Sequence, residues 1–563
     1  MAAGDGPALT GTARLVPRAP AMTRNADRRI RIAIGCAAAA VLAGFLVGAL
    51  AALLLATGSL PAVASLLEDG YIRAIVGFTL EQALLSTALS ILGGLPLALA
   101  LHRARFPGRD WVLRLFLLPQ ALPVLVGALA VIAIWGRSGV VSDAFAALGL
   151  PRLDVYGLPG ILIAHVFFNL PLAARLMLAG LDRVPAESWK LAGQIAMPPL
   201  ATFRIVEWPA IRTALPGAAS LIFMLCVTSF TLVLILGGGP GATTLEVAIY
   251  QALRYDFDPA RAVSLALLQI ALTAAILLAA TRLGGDPAGG FGLGGDARRY
   301  DRKSRARDVA DRTVLVLGIA FVAAPFVAVL VAGLRANLAG LVVQDAVQRA
   351  ALTSLCVAAA AAGLSLVLST AVLLAMEALR PTAAGAAGTA PALARHTLET
   401  TGSLVLVVPP IVVGAGWFLA LRQVTDVFAA APYVVVATNA AMAVPFIVRI
   451  VGPALSEEAQ RTRRLADSLG LFGLARLRIV DWPAMRAPLG LAFAFALAIS
   501  LGDLGAIALF GSQDFVTLPY LLLQRMGSYR TSDADGLALI LGILCLGLMT
   551  LAERGFARRR RRA

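Results

Sequence analysis

Apolar runs of about twenty residues recur along this chain, and few folds can accommodate them. In a bilayer interior every backbone donor and acceptor must be satisfied within the protein, so a spanning segment is a helix or a strand of a closed barrel. These runs exceed the roughly ten residues of a barrel strand, which predicts helices. Twelve spans are read, at about 30–60, 78–101, 113–135, 157–181, 214–236, 261–283, 312–334, 350–378, 400–421, 431–453, 487–510 and 534–553. With 59% hydrophobic and 14% charged residues, the chain has too little polar surface for a soluble globule. The expected fold class is all-α, a polytopic membrane protein of about 12 transmembrane helices that lives in a lipid bilayer.

The formal charge of +16 sits between apolar runs and not along one polar face, which points to membrane topology and away from nucleic acid. Arg and Lys collect at Arg24, Arg28 and Arg29, at Arg103, Arg105 and Arg109, in a cluster from Arg298 to Arg307, and at Arg558 to Arg562. The positive-inside rule makes that side cytoplasmic, with both termini on it. The opposite loops, 58–77, 136–156, 238–259 and 511–533, carry few such residues. Residues 1–29 read as a disordered basic tail, 30–283 as a first six-helix half, 284–311 as a flexible linker, 312–555 as a second half, and 556–563 as a second basic tail. The first run is too long for a signal-peptide core, so it reads as a retained span. Cys36, Cys226, Cys356 and Cys545 lie in apolar runs at no metal-ligand spacing and read as small buried hydrophobes. The three histidines lie near no cysteine cluster, so no metal site is expected.

One polar stretch occurs twice. KLAGQIAMPPLATFRIVEWPAIR (190–212) and RLADSLGLFGLARLRIVDWPAMR (464–486) align without a gap, matching Leu191 with Leu465, Ala192 with Ala466, Arg204 with Arg478, Trp208 with Trp482 and Pro209 with Pro483. Glu207 and Asp481 keep the acid. In the same register Pro171 meets Pro445 and Arg175 meets Arg449, and LPVLVGALAVIAIW resembles PPIVVGAGWFLAL. Each half therefore carries one such island after its fourth span, and both halves run in the same direction as parallel repeats. The small residues Ala192, Gly193, Ala196, Ala466 and Gly470, with Asp467 among them, would let a short helix press against a partner's groove. Arg204 and Arg478 would pair with acids there. Pro209 and Pro483 suit a helix start or break, and Glu207 and Asp481 would be favoured by the dipole of the following helix. The plainer alternative is a pair of amphipathic loops lying on the bilayer surface. Retention of Trp and Arg in register in both copies favours docking.

The islands resemble the cytoplasmic coupling loops of ABC importer permeases. Those loops place a Glu-Ala-Ala start, a Gly six residues after the Glu and a Pro thirteen residues after the Gly. Gly470 and Pro483 have that spacing, behind Leu465-Ala466; in the first copy Ala196 holds the Gly position, and Lys190 or Arg464 stands at the Glu position. FRIVEWPAIR, the run 220–262 and the fused two-half layout are similar to the thiamine or thiamine pyrophosphate importer permeases, with fused ferric-iron permeases as look-alikes. The resemblance implies a MetI-like fold in the bacterial inner membrane. It also implies two cytoplasmic ABC ATPase subunits, a periplasmic substrate-binding protein, and import by alternating access.

No catalytic role is expected. GGGPGATT (237–244) lacks the Lys of a phosphate loop, and no nucleophile–base or paired-carboxylate arrangement occurs, so ATP would act on partner subunits and no cofactor is expected in this chain. For the pathway, Asp503 is the clearest acid in an apolar run and would suit a cationic substrate; the alternative is a carboxylate satisfied by hydrogen bonds. Ser229 and Asn169 join it as candidates, while His165, Asn169 and Asn439 also read as helix-packing donors. A ferric-iron or polyamine permease, or an ion-coupled transporter of parallel repeats, are the alternatives. The two docking elements should differ in shape, since Ala196 and Pro198-Pro199 stand where Gly470 and Phe472-Gly473 stand.

Overall fold

The computed structural model describes residues 24–57, 68–137, 139–282, 305–380, 389–405 and 407–557. The first half contains α1 (Arg24–Thr57), α2 (Gly70–Arg103), α3 (Val124–Trp135), α4 (Leu158–Leu181), α5 (Ala186–Gln194), α6 (Trp208–Val227), α7 (Thr231–Leu236), α8 (Leu245–Arg254) and α9 (Pro259–Arg282). The second contains α10 (Arg305–Arg335), α11 (Asp345–Ala378), α12 (Pro410–Leu421), α13 (Val427–Ser468), α14 (Trp482–Gly502), α15 (Gly505–Phe510), α16 (Leu518–Gly527) and α17 (Thr531–Ala557). The order repeats, except that α13 does the work of both α4 and α5. Pro185 ends α4's path and caps α5, whereas Ala459 stands at that position and lets α13 run through.

Among the described residues, eleven helical runs are long and apolar enough to cross a membrane, close to the twelve expected. The exception is the ninth span. Pro409 and Pro410 interrupt 400–421, so a helix ending at Leu404 gives way to the 12-residue α12, about 18 Å long and too short for a bilayer core of about 30 Å. Pro123 starts the equivalent α3 in the same way. Residues 305–311, expected in the linker, form the first turns of α10, and Arg24–Arg29 and Phe556–Ala557, expected in the tails, are helical; 283–304 and the rest of both tails lie outside the described residues. Loops 238–259 and 511–533 are not surface connections either, because they hold the buried half-helices α8 and α16. Their alternation of apolar and polar residues hid a return into the protein.

The first helix of each half crosses to the other half. α1 lies on α11 and α12, and α10 lies on α2 and α3. The crossing needs small residues, since helix association in lipid depends on close backbone approach. A Cβ at Gly416 of α12 would collide with the Ala49 carbonyl of α1, and one at Gly35 would collide with Ala375 of α11. Trp417 adds a hydrogen bond from its indole Nε1 to the Phe45 carbonyl (3.2 Å). Cys226 and Cys545 are buried as expected, while Cys36 and Cys356 lie on outward helix faces.

Gly416→Ala should therefore lower the melting temperature of the detergent-purified protein, with an overpacking cost of about 1–3 kcal/mol. Gly363→Ala, in α11 with nothing within 4 Å of the added methyl, should be neutral or mildly stabilising in the same melt.

Candidate functional site

Both islands are built on the same two local devices. The first is a helix end. Ala196 (φ 46°) and Gly470 (φ 63°) hold the left-handed position after α5 and α13. Met197 N–H then donates to Ala192 O at 3.0 Å and Leu471 N–H to Ala466 O at 3.0 Å, the six-residue closure that satisfies the last free carbonyls of a helix. The Gly position of the coupling motif is thus a backbone requirement, which Ala196 meets under strain. The second is a π turn, Phe203–Glu207 in one copy and Leu477–Asp481 in the other. Proline lacks a donor and its ring presses on the carbonyl four residues back; reaching back five residues, Trp208 N–H to Phe203 O and Trp482 N–H to Leu477 O, widens the helix there. Pro209 and Pro483 consequently stand in the first turn of α6 and α14, a helix start as expected, and the chain passes from π turn to α-helix without a break.

The outward surface of each island is apolar. Leu191 and Leu465 are 57% and 61% exposed, Ile195 and Leu469 are 59% and 63%, and Leu200 and Leu474 are both 70%. Arg204 and Arg478 are exposed beside them. Gly193 is half-buried, and Asp467 belongs to α13 with its side chain outside the described residues. Ala192 and Ala466, expected to meet a partner, are instead buried, because they lie on the face of α5 and α13 turned into the protein. Trp189 is fully buried beneath α5 against the ring of His102, with centroids 5.1 Å apart. The first island is thus a separate helix pinned by a tryptophan, and the second the end of a 42-residue helix.

Glu207 and Asp481 stand at the N-cap of α6 and α14, next to the helix N-termini as expected, but their side chains make no capping hydrogen bond. Both are buried and held in ion pairs. Arg103 Nε donates to Glu207 Oε1 at 2.9 Å and Arg307 Nη2 to the same oxygen at 3.1 Å. Arg31 Nη1 donates to Asp481 Oδ2 at 2.8 Å. Arg31 opens α1 and Arg307 opens α10, so each island's acid is gripped by the crossing helix of the other half. Arg28 adds a bond from Nε to Ala378 O at the end of α11 (2.9 Å).

The three pathway candidates meet at one place. Asn169, Ser229 and Asp503 all line a cavity of about 270 Å³ between the halves. Four interruptions converge on it: the starts of α3 and α12 at Pro123 and Pro410, and the breaks after α6 and α14. Ser229 and Asp503 hold equivalent positions in those two breaks. Asp503 caps α15, accepting from Gly505 N–H at 3.1 Å and Ala506 N–H at 3.3 Å. Asn169 Nδ2 donates to Cys226 Sγ at 3.4 Å and Asn439 Nδ2 to Ser500 Oγ at 2.9 Å, as expected of packing donors, and His165 Nδ1 is 2.9 Å from Ser86 Oγ. Sequence reasoning missed Glu246, which lines the same cavity from the first turn of α8 and is 1% exposed. A lone acid in TTLEVAIY was the available signal, within a segment that read as a loop. No cluster able to hold a metal occurs among the described residues.

Residues 90–284 match the family described as binding-protein-dependent transport system inner membrane component. Across 548 residues, 96% of this chain and 99% of the relative, the sequence is 50% identical to the thiamine transport system permease protein ThiP of Brucella abortus. It is 42% identical over 488 residues to that of Escherichia coli K12, covering 86% of this chain and 90% of the relative. A putative 2-aminoethylphosphonate transport system permease protein of Salmonella typhi is 30% identical over 37% of this chain. The chain belongs to the thiamine transport system permease family. The permease is accordingly a multi-pass inner-membrane protein.

Two outcomes follow for this permease. Arg31→Ala leaves Asp481 buried beside only Arg476, whose Nε is 3.7 Å away, and should cost about 3–5 kcal/mol in thermal denaturation; Arg307→Ala should cost less, because Arg103 still holds Glu207. Ala196→Gly should increase amide-exchange protection at Met197, and Gly470→Ala should reduce it at Leu471, each by about 1 kcal/mol of local stability.

Proposed function

We infer that this protein is the membrane subunit of an ABC importer that carries thiamine or its phosphates into the cytoplasm. The island end faces the cytoplasm, with both termini there. Two ATPase subunits seat on the islands and hydrolyse ATP, and a periplasmic binding protein delivers substrate at the other end. The observation that carries the reading is the similarity along 96% of the chain to a relative named for thiamine transport. The docking assignment is supported by exposed apolar residues repeated at equivalent positions of both islands, which an isolated protein would leave wetted at a cost. ATP-driven closure of the ATPases would press on α5 and on the end of α13. The buried pairs of Glu207 and Asp481 then carry the push to the crossing helices, so the halves rock about the central cavity. The relatives do not favour the ferric-iron, polyamine or ion-coupled alternatives.

Placing Asp at Leu191 and Ile195, or at Leu465 and Leu469, should reduce co-purification of the ATPase at least about tenfold, as a charge enters a contact that excludes water. Arg204→Glu with Arg478→Glu should act in the same direction. Unchanged co-purification and unchanged substrate-stimulated ATP hydrolysis in all of these variants would remove the islands as docking sites. For the substrate, the partner binding protein should bind thiamine; a protein that held ferric iron and had no affinity for thiamine would overturn that choice.

A further inference from the structure

We propose that Glu246 recognises the positive charge of the transported molecule, holding an organic cation of the thiazolium type in the cavity between the two halves. This rests on the thiamine reading above. Two acids line the cavity, and its lining contains no Lys or Arg. They are not equivalent. Asp503 already accepts two backbone N–H groups at the start of α15. Glu246 is the more deeply buried of the two, at 1% exposed, yet its Oε1 has no hydrogen-bond partner among the described residues. A carboxylate oxygen sealed from water without a partner is expensive, and the first turn of α8 favours its negative charge without neutralising it. A bound cation removes that cost.

The chemistry of the ligand fits the absence of a donor. The quaternary nitrogen of a thiazolium ring carries charge but no proton, so it is recognised by an opposite charge and by aromatic faces and not by hydrogen bonds. Phe168 and Phe230 line the cavity with Glu246 and supply those faces, while Asn169 and Ser229 offer polar atoms for the rest of the molecule. The volume of about 270 Å³ lies close to the roughly 300 Å³ at which pockets for small organic ligands begin. The cavity also sits where discontinuous helices meet, the location at which transporters of repeated halves bind substrate.

The test uses the permease co-purified with its ATPase, with radiolabelled thiamine as probe, in equilibrium binding and in proteoliposome uptake with the binding protein. Glu246→Gln should weaken binding and raise KM at least tenfold, Glu246→Asp should recover part of the loss, and Asp503→Asn, which keeps a capping oxygen, should lose less than Glu246→Gln. Uncharged thiochrome should bind Glu246→Gln as well as it binds the unaltered complex. Gel filtration and ATPase co-purification check that each variant assembles. Unchanged thiamine binding and KM in Glu246→Gln would overturn the proposal. So would equal losses in the Gln and Asp variants, or an equal loss of thiochrome binding, since either outcome would mark a structural role. Failure of the unaltered complex to bind or import thiamine would instead overturn the substrate reading, and the proposal with it.

Discussion

A helix interrupted within a bilayer strands backbone donors and acceptors where no water can reach them, and such breaks persist only where protein encloses them or a polar cavity serves them. Among the described residues, four such breaks, at Pro123, at Pro410, and after α6 and α14, meet between the two halves. That convergence requires the halves to be pressed together. Asp503 shows how one break is satisfied, with its carboxylate taking the N–H groups of Gly505 and Ala506. The rest of the architecture encloses this junction: α8 closes it from one side against α12 and α15, and the crossing helices hold the halves in place.

The crossing helices also bring distant parts of the chain under one mechanical constraint. Each begins beside the other half's island and is tied to it by an arginine on a buried acid, Arg31 on Asp481 and Arg307 on Glu207. A buried pair is a poor source of net stability, since desolvation offsets most of the attraction, but breaking one is costly. Such a contact therefore specifies geometry more than it stabilises. Each island is thereby tied to the opposite half's outer helix. The two islands are built unequally, because α5 is a short helix seated on Trp189 while the second is continuous with α13.

Much of this was legible in the chain. Apolar run lengths predicted helices, and the ungapped repeat predicted two parallel halves and the location of both islands. Asn169, Ser229 and Asp503 were separate guesses that proved to line one cavity. What failed did so for identifiable reasons. Ala192 and Ala466 were assigned to a partner because small residues permit close approach, and nothing local tells whether that approach is to a partner or to the protein's own body. The ion pairs of Glu207 and Asp481 were not legible because Arg103, Arg307 and Arg31 are far away in sequence. Glu246 was overlooked because a ten-residue half-helix is too short to register as a membrane segment.

By itself, then, the sequence determined the class of fold, the duplication and the position of the two islands. These follow from local rules, namely bilayer thickness, period, and the steric demands of proline and glycine. Only the tertiary structure decided which face of each island is turned outward, which arginine meets which acid, and which of two cavity carboxylates has an oxygen without a hydrogen-bond partner among the described residues. Those outcomes depend on how α1 and α10 cross between the halves, and in lipid such a crossing is set by the fit of small residues such as Gly35 and Gly416 against a distant helix, which no stretch of sequence reveals alone.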